Sequence, residues 1–393
     1  MTPSQILLFR FFAAPTEHES RPAAFSQLHD VRMSTRSYSV HYGGAARSFS
    51  LTIRFIRRVL QTTALICLPA NVLAVEATAL KRTQKINLTA GWNAVFLEVE
   101  PLDVAPAKVF QDLPVDIVAA YFPHEASTQF VTNPGTQLFK GLGWGVWYAA
   151  TRPDAFLKSL NAIYGQQAYL IHTTRAFEWR VDGLVSLAKV EWQPDAYNLT
   201  GFSVAAQGAP AFEEFFKASA AHRGQPVYRL VNDVWKKVTS PATEVMKSGE
   251  AFWIFCKGRS EFQGPLSVET GTGDGLLMLQ NSGSIVLRNH TDHPVTPTLE
   301  HVAVDAAPLP LSIRVRVLGD PEVPVKSAAA ENPAAAWRQD MPPLEASGRI
   351  AIPFESRVKE MTAPQQASLL RISTDMGTEL WVPVVGERED LRK

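Results

Sequence analysis

Two stretches of this sequence decide how the chain is organised: residues 88–99 read LTAGWNAVFLEV, and residues 195–204 read DAYNLTGFSV. Each places an aromatic residue and an asparagine (Trp92-Asn93 and Tyr197-Asn198) at the start of an apolar run. Such runs, rich in β-forming residues, predict strands. Asparagine is disfavoured inside strands and favoured where its amide can bond nearby backbone. The two stretches therefore predict two strands that begin with the same local cap.

The landmarks that follow these two strands occur in the same order. Each strand is followed by a Pro/Ala stretch with a short Phe-bearing helix, a second strand, a Trp segment, and a closing strand after a glycine. In chain order these landmarks span residues 106–110, 117–122, 144–147 and 165–171 in the first copy, and residues 210–216, 227–230, 234–238 and 249–255 in the second. Internal similarity of this kind indicates a duplication. We expect repeat module 1 at residues 80–185 and repeat module 2 at residues 190–262.

The pattern of Gly-Trp-Asn, apolar strand, Trp segment and glycine-led aromatic strand resembles a degenerate module of bacterial secreted and surface proteins. The resemblance covers about residues 86–258 and implies an accessory part of an exported protein, with no catalytic residue to carry over. The matching residues are Gly91, Trp92 and Asn93 in the first copy and Gly249, Phe252 and Trp253 in the second. The departures are Leu170 in the first copy and Ala196 and Tyr197 in the second.

The last third of the chain has a different residue pattern, with short alternating runs separated by turn residues. Alternating residues at 284–289 and 348–354, and a hairpin formed by 368–373 and 379–384, predict short strands. We expect a β-sandwich at residues 275–390, preceded by a linker at 270–275. Residues 286–299 resemble an immunoglobulin-like module without its cysteine pair. The expected fold is mainly β with short helices (α+β): two related repeat modules followed by a β-sandwich domain.

The first 74 residues predict a leader and signal peptide. Arg54, Arg57 and Arg58 precede an apolar run, and Val72 and Ala74 are small residues placed for signal peptidase. The protein is therefore expected to be exported, to the periplasm, the medium or the cell surface, by the Sec or the twin-arginine route. The apolar run is too short to span a bilayer stably, so no membrane span is expected after cleavage.

Composition limits the function further. The chain has 393 residues, with 38 basic and 38 acidic side chains. Eight arginines lie in the leader, so the remainder is mildly acidic and has no electrostatic footprint for nucleic acid. After cleavage Cys256 is the only cysteine left, which excludes an intramolecular disulfide.

Two groups of residues suggest nucleophile or metal chemistry. Cys256 and His172 end matching strands, but a reactive thiol needs an accessible, electropositive setting, and the run before Cys256 favours a buried, inert thiol. His290, His293 and His301 offer imidazole ligands, yet a metal site needs convergent donors, and the first two lie in an expected turn.

Paired acids are the third chemical possibility. Glu98 with Glu100, and Glu213 with Glu214, supply carboxylates of the type that glycoside hydrolysis uses. We expect both pairs on solvated faces. The sequence contains no Walker loop, dinucleotide fingerprint, nucleophile elbow or His-Glu-x-x-His motif. No catalytic residue, cofactor or metal ligand is therefore predicted.

Aromatic residues remain as candidates for binding. Trp144 and Trp147 lie in a glycine-rich segment and are the best candidates for an exposed platform, although core packing is an alternative for every tryptophan of the repeats. We expect a non-catalytic exported protein with a binding or assembly role, whose partner is a surface or envelope protein or a polysaccharide. Two alternatives stay open: a secreted hydrolase, carbohydrate-active or other, and a structural subunit of an envelope assembly.

Overall fold

The structure is a computed structural model that describes residues 80–123, 143–273, 275–278, 281–302, 308–313 and 336–388. Over these residues the fold is mainly β with two short α-helices. The predicted leader lies outside the described residues. Among the residues that are described, no helix is both long enough and apolar enough to cross a membrane.

Three sheets account for the first two-thirds of the described chain. Sheet I has the order β1-β7-β3, sheet II the order β2-β6-β4-β5, and sheet III the order β8-β11-β9-β10. The strands are β1 (Lys81–Leu88), β2 (Gly91–Leu97), β3 (Val99–Pro101), β4 (Val115–Tyr121), β5 (Trp144–Tyr148), β6 (Gln167–Thr173), β7 (Phe177–Val185), β8 (Ala196–Thr200), β9 (Val227–Val231), β10 (Val234–Lys237) and β11 (Phe252–Cys256). Helices α1 (Pro106–Val109) and α2 (Phe212–Phe216) each precede the second strand of their sheet in chain order.

Sheets II and III share their strand order and their antiparallel register. Asn93 pairs with Ile171 in sheet II, and Asn198 pairs with Ile254 in sheet III. Two residues further along each opening strand, Val95 pairs with Tyr169 and Thr200 pairs with Phe252. The two closing strands therefore meet the two opening strands at the same offset from the asparagine.

Both faces of sheet II are covered. One face packs on sheet I in a core that includes Ile86, Val95 and Trp147. The other face packs on sheet III in a second core that includes Tyr121 and Trp253. Because the two cores lie on opposite sides of one sheet, most residues of its central strands β4 and β6 are buried on both faces.

Two further sheets make up the C-terminal part. Sheet IV has the order β12-β14-β18-β16 and sheet V the order β13-β20-β19-β15-β17. Side chains from both sheets, such as Leu287 and Leu370, form one hydrophobic core. The strands are β12 (Leu266–Thr270), β13 (Leu276–Met278), β14 (Ser282–Asn289), β15 (Pro297–Val302), β16 (Leu311–Ile313), β17 (Trp337–Asp340), β18 (Arg349–Ser356), β19 (Gln365–Thr374) and β20 (Glu379–Glu387).

The C-terminal strands agree with the sequence pattern except at their start. The predicted hairpin is confirmed as the antiparallel pair β19 and β20. The glycine-rich stretch expected to be a linker instead connects β12 to β13, since β12 already pairs with β14. The C-terminal sheets thus begin at Leu266, ahead of the expected boundary at residue 275, because glycine-rich turns look alike within and between domains.

Backbone contacts join the C-terminal sheets to the chain that follows β8. The Ala205 N–H donates to the Gly377 carbonyl at 2.9 Å, and the Glu379 N–H donates to the Ser203 carbonyl at 3.1 Å. Gly377 has φ +77°, and a Cβ there would lie 1.9 Å from the Gly208 carbonyl oxygen. The β19–β20 turn therefore requires glycine where it meets this segment.

Candidate functional site

The residues of the Gly-Trp-Asn motif are occupied with folding. The side chain of Asn93 accepts the Thr89 N–H at 2.9 Å and donates to the carbonyls of Thr89 (2.8 Å) and Gly91 (3.0 Å). Gly91 has φ +95°, and the carboxylate of Asp233 lies against it and accepts the Trp92 N–H at 2.6 Å. The motif thus caps β2 and binds the β9–β10 turn, which is a structural role.

Asn198 makes the equivalent set of bonds in sheet III. Its side chain accepts the Gln193 N–H at 2.8 Å and donates to the carbonyls of Gln193 and Ala196, both at 3.1 Å. Each asparagine side chain thus bonds backbone groups within five residues, as expected of a local cap.

The two tryptophans expected to be exposed are packed. Trp147 is 8 % exposed, and its ring lies 5.6 Å from that of Phe110. Trp144 is half-buried, with its ring 5.2 Å from Tyr121 and 6.5 Å from Trp253. The expectation that Trp147 offers an exposed surface is wrong, because β5 directs these two side chains into the cores on opposite faces of sheet II.

Cys256 and His172 lie in different surroundings. Cys256 is fully buried in the hydrophobic core that includes Phe212 and Phe252, where burial, with a smaller contribution from the charge of Asp195, raises the pKa of its thiol. The ring of His172 packs edge-on against Trp92 at 5.1 Å, and its Nδ1 lies 2.5 Å from Asp116 Oδ1. The inert thiol expected from the sequence agrees with this placement.

The three C-terminal histidines are dispersed. His290 Nε2 bonds the Ser267 hydroxyl at 2.7 Å, and burial lowers the pKa of this imidazole. His293 lies 3.0 Å from Asp292 and 3.4 Å from Glu214, while His301 is fully buried beside Trp337. Within the described ranges no group of three or more His, Cys, Asp or Glu side chains is arranged to hold a metal ion.

The paired acids differ in their surroundings. Glu213 and Glu214 lie on α2, and neither is buried. Glu100 accepts the Gly165 N–H at 2.5 Å. Glu98 is 5 % exposed, so the expectation of a solvated position is wrong for this residue.

A cavity of about 1180 Å³ lies where residues 80–185, residues 186–265 and the C-terminal sheets meet. Its walls come from the start of β1 and the end of β7, the segment 186–192, the residues after α2, the segment 259–265 and strands β12 and β20. Its volume is of the size that ligand pockets reach. Aromatic side chains from all three parts line it, namely Phe96, Trp192, Phe202, Phe215, Phe262 and Trp381.

One wall of this cavity carries a buried charge pair. Arg82 of β1 forms an ion pair with Glu98, and its guanidinium lies 4.7 Å from the centroid of the Trp381 ring. Arg371 lies 5.9 Å from the same ring and pairs with Glu379 at 2.6 Å. Arginine over an indole is a favourable cation–π arrangement. The ring of Trp381 is thus held between side chains that are themselves paired.

A second polar pair adjoins the cavity. Ser219 lines the cavity, and its hydroxyl lies 2.7 Å from Nδ1 of His222. His222 is 1 % exposed, and its Nε2 is buried with no hydrogen-bond partner among the described residues. Burial lowers the pKa of His222 to about 4, so the imidazole is neutral near pH 7. A catalytic nucleophile–base pair normally includes a third group that orients the base, and no described residue bonds His222 Nε2 in that role.

The sequence alone could not assemble this cavity. Arg82 and Trp381 are far apart along the chain, and neither belongs to a motif. Ser219 and His222 are close in sequence, but a Ser-x-x-His spacing is common in turns and carries no signal by itself. The arrangement offers apolar walls, paired charges and hydrogen-bonding groups, which suits non-covalent binding of a ligand.

Comparison with known proteins gives no family. No family model matches the chain, and no curated protein matches it. Among solved structures, the chain is similar to an ASH/PapD-like domain of human CEP192 (12 % identity, TM-score 0.20, 31 % of this chain and 84 % of that one). It is also similar to a DUF4785 family protein from Legionella pneumophila, with 9 % sequence identity and a TM-score of 0.20, over 77 % of this chain and 92 % of that one. A third similarity is to the C-terminal domain of the Streptococcus pyogenes antigen I/II-family protein AspA, with 9 % sequence identity and a TM-score of 0.19, over 79 % of this chain and 100 % of that one.

Proposed function

We propose that this chain is a non-catalytic exported protein with a binding or assembly role at the cell surface or in the periplasm. The observation that carries the proposal is the cavity where the two modules and the C-terminal sheets meet. Its aromatic walls and paired charges favour a surface or envelope protein, or a polysaccharide, as the ligand. No cofactor is part of the proposal.

The domain plan supports this role. We propose that modules 1 and 2 arose by duplication, supported by the shared strand order and register of sheets II and III and by the matched bonds of Asn93 and Asn198. We propose that sheets IV and V form an immunoglobulin-like sandwich, supported by their common core. Assemblies of such modules present binding surfaces at their junctions.

Export is tested by the mass of the protein that leaves the cytoplasm. The predicted signal places the mature N-terminus within a few residues of Val75. Intact-mass measurement of the exported protein should give that N-terminus. A leader retained on protein that stays in the cytoplasm would contradict the export part of the proposal.

The cavity is tested by filling it. Ala188 lines the cavity and is exposed, so Ala188→Trp places a large side chain at its mouth. The matched control is Ala242→Trp, in an exposed turn that does not line the cavity. Wild type and both variants are assayed for binding to purified cell-wall polysaccharide and to solubilised envelope protein. We expect Ala188→Trp alone to lose at least about tenfold in affinity for one probe. Equal binding by all three proteins, or by none, refutes the cavity as the site.

A secreted hydrolase is the second candidate, and the Ser219–His222 pair is the observation that favours it. A serine hydroxyl bonded to a neutral imidazole has the composition of a nucleophile and its base. Activity on nitrophenyl ester and glycoside substrates that Ser219→Ala abolishes, in a protein of unchanged stability, would establish this alternative. A structural subunit, the third alternative, would instead give stable assemblies that Ala188→Trp leaves intact.

A further inference from the structure

Strand β12 is an edge strand whose free side can be identified residue by residue. Among the described strands it pairs only with β14, in an unbroken antiparallel register from Leu266↔Asn289 to Thr270↔Ile285. The His290 N–H donates to the Pro265 carbonyl at 2.8 Å, which makes residues 265 and 290 a hydrogen-bonded pair. Because hydrogen-bonded and non-bonded pairs alternate, the backbone groups of Leu266, Val268 and Thr270 point away from β14.

Within the part of the chain that the structure describes, these outward groups have no hydrogen-bond partner. No hydrogen bond to the backbone of Leu266, Val268 or Thr270 exists among the described residues beyond the β14 ladder. Leu266 is 2 % exposed, whereas Val268 and Thr270 are half-buried and line the cavity. Backbone N–H and C=O groups that are shielded from water and unpaired are costly, so native proteins pair nearly all of them. The free edge of β12 therefore has unmet hydrogen-bonding capacity.

The cavity runs along this edge. All five residues of β12 line it, including Leu266 and Val268, whose side chains pack on the core, and Ser267 and Glu269 on the opposite face. A cavity that contacts residues from both faces of an edge strand lies beside the edge itself. The space next to β12 is where another strand would sit.

Another wall of the same cavity shows how an unpaired segment is satisfied within the chain. The side chain of Gln263 accepts the Val190 N–H at 2.8 Å and donates to the Val190 carbonyl at 3.0 Å. This amide occupies the position that a neighbouring backbone would take. No described side chain bonds the outward backbone groups of β12 in this way, so its edge differs from the wall formed by residue 190.

We propose that the cavity receives an extended peptide segment of a partner protein, which adds to sheet IV by pairing with the free edge of β12. This inference rests on the proposed binding function and names the class of its ligand. Main-chain bonds to the half-buried residues Val268 and Thr270 supply affinity, and alternate side chains supply specificity. The segment carries apolar residues at every second position toward the core side, where Leu187 packs, and polar residues toward Arg288 and His290.

The test removes one outward N–H without touching the β14 ladder. Val268→Pro deletes the outward donor, and an edge strand tolerates proline on its free side. Val268→Ala, which keeps the N–H, is the matched control. Random nine-residue peptides displayed on phage are selected on the full exported chain, and an enriched peptide is synthesised with a fluorescent label. We expect alternating apolar residues in it, a loss of more than about tenfold in affinity with Val268→Pro, and a change within about twofold with Val268→Ala.

A second arm changes the peptide and leaves the protein intact. The enriched peptide is N-methylated at every second residue in two versions, so that each version blocks the donors of one edge. We expect one version to lose binding and the other to keep it, since a strand pairs through one edge. Equal binding of both versions, or equal binding by Val268→Pro and Val268→Ala, overturns strand addition. Failure to enrich any peptide overturns it as well.

The outcomes separate this inference from the proposed function. Suppose that Ala188→Trp abolishes binding of an envelope ligand and Val268→Pro does not. The cavity is then still the binding site, but strand pairing is not how the ligand binds. If Ala188→Trp binds every probe as well as the wild type does, both the cavity as a binding site and strand pairing are refuted.

Discussion

Gly91 is required by the contact between the first module and the β9–β10 turn, and Gly91→Ala tests that requirement. The residue has φ +95°, and an added Cβ would lie 2.6 Å from Oδ1 and 3.0 Å from Oδ2 of Asp233. Separations below 3.0 Å do not occur for real Cβ atoms, so the carboxylate has to move. Its movement breaks the bond that it accepts from the Trp92 N–H.

The expected cost follows from these two terms. A side chain at positive φ costs about 1–2 kcal/mol, and loss of a hydrogen bond to a charged acceptor costs about 1.5–3 kcal/mol. Gly91→Ala should therefore destabilise the protein by about 2.5–5 kcal/mol, and Asp233→Ala by about 1.5–3 kcal/mol. Once the carboxylate is absent, Gly91→Ala adds only its strain. The double variant should thus cost about the same as Gly91→Ala alone, with a coupling energy of about 1.5–3 kcal/mol.

The assay is urea unfolding of the purified protein, followed by tryptophan fluorescence, for the two single variants and the double variant. Gly224→Ala is the matched control, because Gly224 has φ +70° and no atom within 4 Å of the added Cβ. It should cost only the strain of about 1–2 kcal/mol. Additive costs for Gly91→Ala and Asp233→Ala, or equal costs at Gly91 and Gly224, would refute the argument.

Three further predictions concern single side chains. Asn93→Ala and Asn198→Ala should each lower the free energy of unfolding in urea by about 1–3 kcal/mol, and the loss should be larger at Asn198 because its backbone partners are less accessible to water. No measurable loss at either position would rule out the cap. The pKa of His222 is about 4 in the folded chain against an ordinary 6.5, so the unfolded chain binds more protons between these two pH values. The free energy of unfolding should therefore fall as the pH drops from 6.5 to 4, and His222→Phe should flatten that part of the pH profile. A profile that His222→Phe leaves unchanged counts against a buried neutral imidazole. Cys256→Ala should cost about 1 kcal/mol, and Cys256 should label slowly with thiol reagents in the native protein, since rapid labelling is incompatible with a fully buried thiol.

Local patterns were sufficient wherever the deciding interactions are local. The hairpin of β19 and β20 follows from alternation around a Gly-containing turn, because pairing of adjacent strands depends on nearby residues. The caps at Asn93 and Asn198 follow for the same reason, since their partners lie within five residues. The sequence therefore determined that the chain is mainly β and where most of its strands lie.

Tertiary structure decided which surfaces are covered. Trp144 and Trp147 lie on opposite faces of β5, and a period of two residues cannot say that both faces are buried. One face is covered by sheet I and the other by sheet III, whose strands come from residues far from β5 along the chain. Exposure of an aromatic residue is thus a property of what packs on its sheet.

The cavity also exists only in three dimensions. Arg82, Trp192 and Val268 come from three parts of the chain, and no spacing along the sequence relates them. Even the free edge of β12 is invisible in its residues, because an edge strand and a central strand can share one alternating pattern. The sequence determined the strands through local hydrogen bonding and alternation. The folded chain alone decided where a ligand can bind, because that depends on which edges and faces the distant parts leave uncovered.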